Sequence, residues 1–220
     1  MKILALEFSS VQRSAAVVEA GVHPEARLLG EAIETGPDAT RALALIDAAL
    51  RQAGVRRDQV DLLAVGLGPG SYTGVRSALA VAQGWQLARD LPVIGLSSME
   101  CLAWQARAEQ FTGPVHLVLD AQRGEFYLSV FELSAGGCRE LEALRLATLA
   151  EVREREQSGA CLLGPEITRW FPAGRVVFPR ASVLGERAAG RTASTTADRL
   201  EPVYLRETSF QKVRPIRPPA

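Results

Sequence analysis

The sequence predicts an α/β chain that opens twice on the same kind of strand hairpin, and three observations carry that prediction. The first is a pattern. Ile3-Leu4-Ala5-Leu6 is a short apolar run closed by Glu7, followed by the polar turn Ser9 to Arg13 and a second run, Ser14 to Val18. Val115 to Leu119 closed by Asp120, the turn Gln122 to Glu125 and the run Phe126 to Leu133 repeat that order without useful residue identity. Two unrelated hairpins would read the same way. The second observation is size: 220 residues, 47% of them hydrophobic, can bury one large core or two small ones. The third is alternation, because strand candidates at Val60 to Val65 and Val93 to Leu96 are each followed by a helix candidate.

In chain order, Lys2 to Leu6 reads as a buried strand, Ser14 to Val18 as its antiparallel neighbour, and Leu28 to Ala32 as a third strand. Thr40 to Ala53 reads as a helix, with Leu43, Ile46 and Leu50 three and four apart and Ala44 and Ala48 widening the apolar arc. The helix from Val75 to Leu91 is apolar almost all round and kept thin by Ala78, Ala80, Ala82 and Gly84. Such helices either lie deep in a core or bury a second face against another chain, and the pattern leaves both open. The candidate partner face is Leu43, Ile46, Leu50, Tyr72, Val75, Leu79 and Ala82. Ser98 to Ala108 is a further helix. A second lobe follows, with short strands ending at Gly164 and covering Arg175 to Phe178, and a helix over Ala181 to Ala189. Expected divisions are a first lobe over 1–108, a smaller one over 109–206, and a mobile basic, proline-rich tail over 207–220.

The run Leu67 to Arg76 is the most informative stretch. Gly66, Gly68, Gly70 and Gly74 crowd the junction between a strand and a helix, where glycine permits unusual backbone angles and close approach. Gly68, Gly70, Ser71, Thr73, Gly74 and Arg76 are therefore candidate site residues, since a helix start offers free N–H groups to an anion or partner. A tight turn packed on its own protein explains the same residues. The run is neither a P-loop nor a dinucleotide-binding turn.

Composition narrows the function. The 25 basic and 25 acidic side chains balance, which argues against a chain that holds nucleic acid alone. Cys101, Cys138 and Cys161 are far apart and read as small buried hydrophobes or free thiols of a reducing compartment. His23 and His116 are too distant in sequence to suggest a histidine metal site, so no metal is expected. The apolar start is too short for a signal-peptide core, no segment reaches membrane-spanning length, and a cytoplasmic location is expected. Glu7 and Asp120, at strand ends, are placed to hold Mg²⁺ across a cleft, or else act as solvated or capping groups.

Five ordered motifs carry a resemblance. They are Gly68-Pro-Gly-Ser-Tyr-Thr-Gly-Val-Arg76, Ala82-Gln83-Gly84, Ile94-Gly95-Leu96-Ser97-Ser98, Asp120 to Tyr127, and Glu201-Pro202-Val203-Tyr204-Leu205-Arg206. From Lys2 to about Arg206 the chain resembles the bacterial tRNA threonylcarbamoyladenosine biosynthesis proteins TsaB, also called YeaZ. The resemblance implies two lobes of the actin, hexokinase and Hsp70 type, each on a ribonuclease H-like sheet. It implies a non-catalytic partner of the transferase TsaD, in an assembly with the ATPase TsaE, that meets tRNA only through the complex. The wide apolar faces of the helices at Thr40 to Ala53 and after Gly74 lead to the separate expectation of a homodimer when the chain is alone. No cofactor of its own is implied, which leaves room for weak or shared nucleotide binding in a vestigial cleft at Glu7, Ser9 and Asp120. The peptidase M22 label attached to relatives rests on metal-binding histidines that this chain lacks. Two departures stand out: Glu7-Phe8-Ser9 replaces the family's usual Asp-Thr-Ser, and Pro37-Asp38-Ala39-Thr40 replaces a His-Ser start of the first helix. Phe8 puts a bulky side chain where a phosphate-contacting hydroxyl would stand. The rival expectation is an active nucleotide-dependent phosphotransferase or ATPase of the same superfold.

Overall fold

The computed structural model describes residues 1–21, 26–36, 41–191 and 199–205. The tail 207–220, His23 and the Pro37–Thr40 departure lie outside the described residues.

Two five-stranded mixed sheets are built to one plan. In the first, β1 (Lys2–Glu7), β2 (Gln12–Glu19) and β3 (Arg27–Thr35) form an antiparallel meander, and β4 (Leu62–Gly66) and β5 (Val93–Leu96) add in parallel on the other side of β1, in the order β3-β2-β1-β4-β5. The second places β6 (Gly113–Asp120), β7 (Glu125–Ser134), β8 (Gly137–Thr148), β9 (Cys161–Gly164) and β10 (Arg175–Val176) in the order β10-β9-β6-β7-β8. Pairing senses match strand for strand, with β6 antiparallel to β7 and parallel to β9. The hairpin repeat in the sequence is thus a repeat of whole sheets. Glu7 and Asp120 occupy the same place, the last residue of the central strand of each.

Period-two alternation divides the first core. Leu4 and Leu6 of β1 face α1 (Ala42–Ala53) and α2 (Tyr72–Arg89), whereas Ile3 and Ala5 face α5 (Ala181–Ala189). Helix α3 (Ser98–Ala108) lies between the sheets: Cys101 packs with the first core, and Met99, Leu102, Ala103 and Ala106 pack with Leu117, Phe131 and Leu163 of the second. The outer face of the second sheet is covered by α4 (Leu149–Gln157), through Val152, and by Ile167 and Phe171. A division at 108/109 separates the sheets but not the layers, because α5 returns to the first sheet. Gly185 permits this: a Cβ there would stand 2.7 Å from Val18 Cγ2. Glu31 of β3 fixes the start of α5, pairing with Arg180 and accepting from the Ser182 amide (3.1 Å), while Ser14 Oγ accepts from the Ala181 amide (2.8 Å).

The wide apolar arcs of α1 and α2 resolve into core. Ile46, Leu50, Val75, Leu79 and Ala82 are all buried in the chain's own first core, whereas Leu43 and Tyr72 are exposed (60% and 54%). Five of the seven residues expected on a partner face therefore cannot reach a partner in this fold. The physical reason is that both helices lie flat on one face of the sheet. What remains outward on α2 is the stripe Thr73, Arg76, Ala80, Gln83, Gly84 and Leu87, at spacings of three and four. Leu87 is 90% exposed.

Candidate functional site: the cleft between the sheets

The C-terminal ends of β1 and β6 face each other across a cleft of about 490 Å³, lined among others by Ser9, Ser71, Tyr72, Asp120, Tyr127, Glu166 and Tyr204. One wall is the glycine loop. Ser71 caps α2, its Oγ accepting from the Gly74 amide (3.2 Å) and its own amide donating to the Ser9 carbonyl (2.6 Å). Gly70 (φ +144°) and Gly74 let the loop lie directly on Phe8 and Ser9, because a Cβ at either would overlap the carbonyl oxygen of Ser9 or Phe8. Phe8 itself is fully buried. The tight-turn reading of the glycine run thus describes Gly70 and Gly74 directly.

Glu7 does not line the cleft. It is fully buried, and each oxygen has one donor: the Ser9 amide on Oε1 (2.9 Å) and Ser98 Oγ on Oε2 (2.9 Å). Ser98 Oγ in turn accepts from the Gly68 amide (3.1 Å), tying β1, the glycine loop and the start of α3 into one buried junction. Gly66 makes room, since a Cβ there would come 2.7 Å from Glu7 Cδ. Burial pushes the Glu7 carboxyl above its usual range, against the pull of the donors from Ser9 and Ser98. Placing Glu7 in an open vestigial cleft with Ser9 and Asp120 is therefore corrected: Ser9 and Asp120 line the cavity, and Glu7 lies sealed behind it.

Asp120 repeats the local role of Glu7 on the other side. Its Oδ1 accepts from the Gln122 amide (2.7 Å), as Glu7 Oε1 accepts from the amide two residues on, and it holds a turn with Gln122 and Arg123 in the left-handed region (φ 65° and 59°). Both carboxylates are turn-forming groups. The charged side chains on the cleft wall are Asp120 and Glu166, both acidic. Among the described residues no group of three or more His, Cys, Asp or Glu is placed to hold a metal ion.

Residues 199–205 cross the mouth of this site. The Val203 amide donates to the Leu67 carbonyl (2.8 Å), the rings of Tyr72 and Tyr204 lie 5.6 Å apart, and Arg76 sits 4.4 Å over Tyr72. Gly95 is packed beneath Leu67 and Leu200, whose side chains would stand 2.6 and 2.9 Å from a Cβ. The glycine loop and the Pro-Val-Tyr-Leu stretch, far apart in sequence, thus form one corner.

Residues 36–198 match the family model described as TsaD, tRNA N6-adenosine threonylcarbamoyltransferase. The Escherichia coli tRNA threonylcarbamoyladenosine biosynthesis protein TsaB is 29% identical over 192 residues, covering 80% of this chain and 83% of that one. The Haemophilus influenzae protein of the same name is 36% identical over 129 residues, 59% of this chain and 53% of its own. The solved structure of YeaZ from Pseudomonas aeruginosa superposes with a TM-score of 0.74 at 29% identity, over 93% of this chain and 99% of that one. A second structure, titled as similar to peptidase YEAZ from the same organism, superposes at 0.76 and 29% identity with the same coverage. The chain belongs to the TsaB/YeaZ family.

In this TsaB/YeaZ chain the motifs carrying the resemblance are largely structural. Gly70 and Gly74 permit backbone contact, Ser98 anchors Glu7, and Val203 anchors the 199–205 segment. Ser98, Tyr127 and Glu166 were not singled out from sequence, though Ser98 and Tyr127 lie within quoted motifs. Glu166 carried no signal beyond the turn Gly164-Pro165.

Proposed function

We propose that this chain serves tRNA threonylcarbamoyladenosine biosynthesis as a non-catalytic subunit, activating a TsaD-type transferase by binding it. The observation that carries this reading is the sealing of Glu7. The carboxylate best placed to hold a nucleotide-bound metal is buried against Ser9 and Ser98 instead. The charged side chains among the described lining residues, Asp120 and Glu166, are acidic and would repel phosphates. The names of the relatives support the pathway, and the match of residues 36–198 to the threonylcarbamoyltransferase family supports a transferase of that type as the partner.

The surface offered to the partner, in this reading, is the outward side of α1 and α2, with Leu43, Ala80, Gly84 and Leu87, and the neighbouring corner of Tyr72 and Arg76. Apolar side chains as exposed as Leu43 and Leu87 on helices covering the same sheet face favour burial by a second chain. Alone, the chain covers them by pairing with its own copy. In the assembly a TsaE-type ATPase joins, tRNA is met through the complex, and any nucleotide is held jointly with another subunit rather than as a cofactor of this one. The place of action is the cytoplasm; among the described residues no helix is long and apolar enough to cross a membrane. The test is light scattering and pull-down with Leu87→Asp. Loss of self-association and transferase binding with an unchanged melting temperature supports the reading. A variant that keeps both interactions refutes the assigned face.

A further inference from the structure

A second cavity, about 460 Å³, lies on the opposite side of the first sheet from α1 and α2, between α3 and α5. Its chemistry is the reverse of the interlobe cleft. Two guanidinium groups line it, Arg107 and Arg187, and both lie against the ring of Trp104 on the same wall, at 5.3 and 3.8 Å from the ring centre. Among the described residues neither Arg107 nor Arg187 pairs with a carboxylate, as is also true of arginines elsewhere on the surface such as Arg76 and Arg89. Arg107 is held by neutral acceptors, its Nε donating to the Ser134 carbonyl (2.8 Å) and its Nη2 to the Ala135 carbonyl (2.6 Å). Among the described residues, the buried Arg187 Nε has no acceptor. Glu186, also on the rim, is engaged in an interaction of its own.

We propose that this cavity is a phosphate-binding site, in which Arg187 and Arg107 receive the phosphate of a nucleotide. Neither guanidinium has a carboxylate partner among the described residues, so an oxyanion supplied from outside would neutralise both. The planar forks match oxyanions in bidentate fashion, and two of them offer donors enough for a tetrahedral group with three free oxygens. The two carbonyls and Trp104 hold the Arg107 group, and Trp104 the Arg187 group, before any ligand arrives, which lowers the ordering cost of binding. The cavity has the volume of ordinary small-ligand sites, larger than a lone carboxylate needs. The inference goes beyond the partner reading and does not depend on it, since the site lies away from α1 and α2.

The phosphate can come from a free nucleotide or from an RNA backbone, and one titration separates them. The full chain, labelled with ¹⁵N, is titrated with adenosine 5′-monophosphate, with adenosine, and with a short single-stranded RNA, following the Trp104 indole resonance assigned through Trp104→Phe. The expected result is a saturable shift with the monophosphate and none with adenosine. Arg187→Gln should weaken binding at least tenfold without lowering the melting temperature, and Arg187→Lys should recover only part of it. Arg107→Gln provides the same comparison should Arg187→Gln not fold. Tighter binding of RNA than of the monophosphate assigns the site to the RNA backbone; the reverse assigns it to a free phosphorylated compound. No saturable shift, an equal response to adenosine, or unchanged binding in the folded glutamine variants would overturn the proposal.

Discussion

Gly74→Ala and Gly84→Ala, made in the same helix, should move stability in opposite directions. In an exposed helix interior, Gly→Ala normally stabilises by about 0.5–1 kcal/mol through chain entropy alone. Gly84 meets that condition: it is exposed and a Cβ there has no heavy atom within 4 Å. Gly74 does not. Its Cβ would overlap the Phe8 carbonyl oxygen and stand 3.1 Å from the carbonyl carbon and 3.2 Å from Ser71 Oγ. Reaching ordinary contact needs a backbone displacement of more than about 1 Å at a residue that is fully buried. Overpacking of this kind costs about 1–3 kcal/mol, and separating the loop from β1 also strains the Ser71 amide bond to Ser9 (2.6 Å), a further ~1 kcal/mol. Against the propensity gain, the net expectation is a loss of about 1–3 kcal/mol for Gly74→Ala and a gain of about 0.5–1 kcal/mol for Gly84→Ala. Urea unfolding at constant slope measures both. A Gly74→Ala protein as stable as the parent would refute the claim that the glycine loop exists for backbone contact with Phe8.

Ile46→Asp buries a charge in the first core and should abolish folding, whereas Leu43→Asp, three residues away and exposed, should stay within about 0.5 kcal/mol of the parent by thermal melting. Ser98→Ala removes the donor to Glu7 Oε2 and the acceptor for the Gly68 amide, for a loss of about 1–3 kcal/mol and a Glu7 carboxyl that titrates still higher, read by calorimetry and carboxyl ¹³C shifts. The His116 imidazole titrates below the ordinary histidine value of 6.5, first because of burial and then because of the neighbouring Arg155, whose Nη1 lies 3.1 Å from Nδ1. The folded state therefore binds fewer protons than the unfolded state below that value. The contribution of His116 to stability is present above about pH 6.5 and is lost as pH falls toward the depressed folded value. His116→Gln should flatten that part of the stability–pH curve, and an unchanged slope would contradict it.

Much of the first lobe was legible because its strands are continuous apolar runs and its helices carry clear spacing. β1, β5, α3 and α5 fall where the pattern places them, and α2 starts three residues early because Ser71 supplies the cap. In the second lobe β8 and α4 went unseen. β8 is an outer, half-exposed strand of mixed charge, and α4 buries only Val152, so neither shows a period. What holds them there is an ion network, with Arg145 and Arg155 both engaging Glu142 and Glu151, and charge alone announces no element type. The site was legible as a place and less so as chemistry. A strand-end carboxylate looks the same in sequence whether it turns inward or outward. The direction of Glu7 was decided by Gly66 and Ser98, contacts that span 59 and 91 positions. The apolar arcs of α1 and α2 likewise could not say which side meets the sheet; only Leu43 and Tyr72 of the expected face remain outside.

In the function proposed above, this TsaB/YeaZ chain supports tRNA modification by binding a transferase and performs no chemistry in its own cleft. The most direct measurement is threonylcarbamoyl incorporation into tRNA by the complex reconstituted with the transferase and ATPase subunits. The double variant Asp120→Ala, Glu166→Ala removes both acids from the cleft wall and should leave the rate within about twofold of the parent, a difference under 0.5 kcal/mol in barrier. Leu87→Asp should lower the rate in proportion to lost transferase binding, with recovery as the partner concentration is raised. A cleft variant that keeps its fold and its transferase binding yet loses modification by orders of magnitude would contradict the account and make the cleft catalytic.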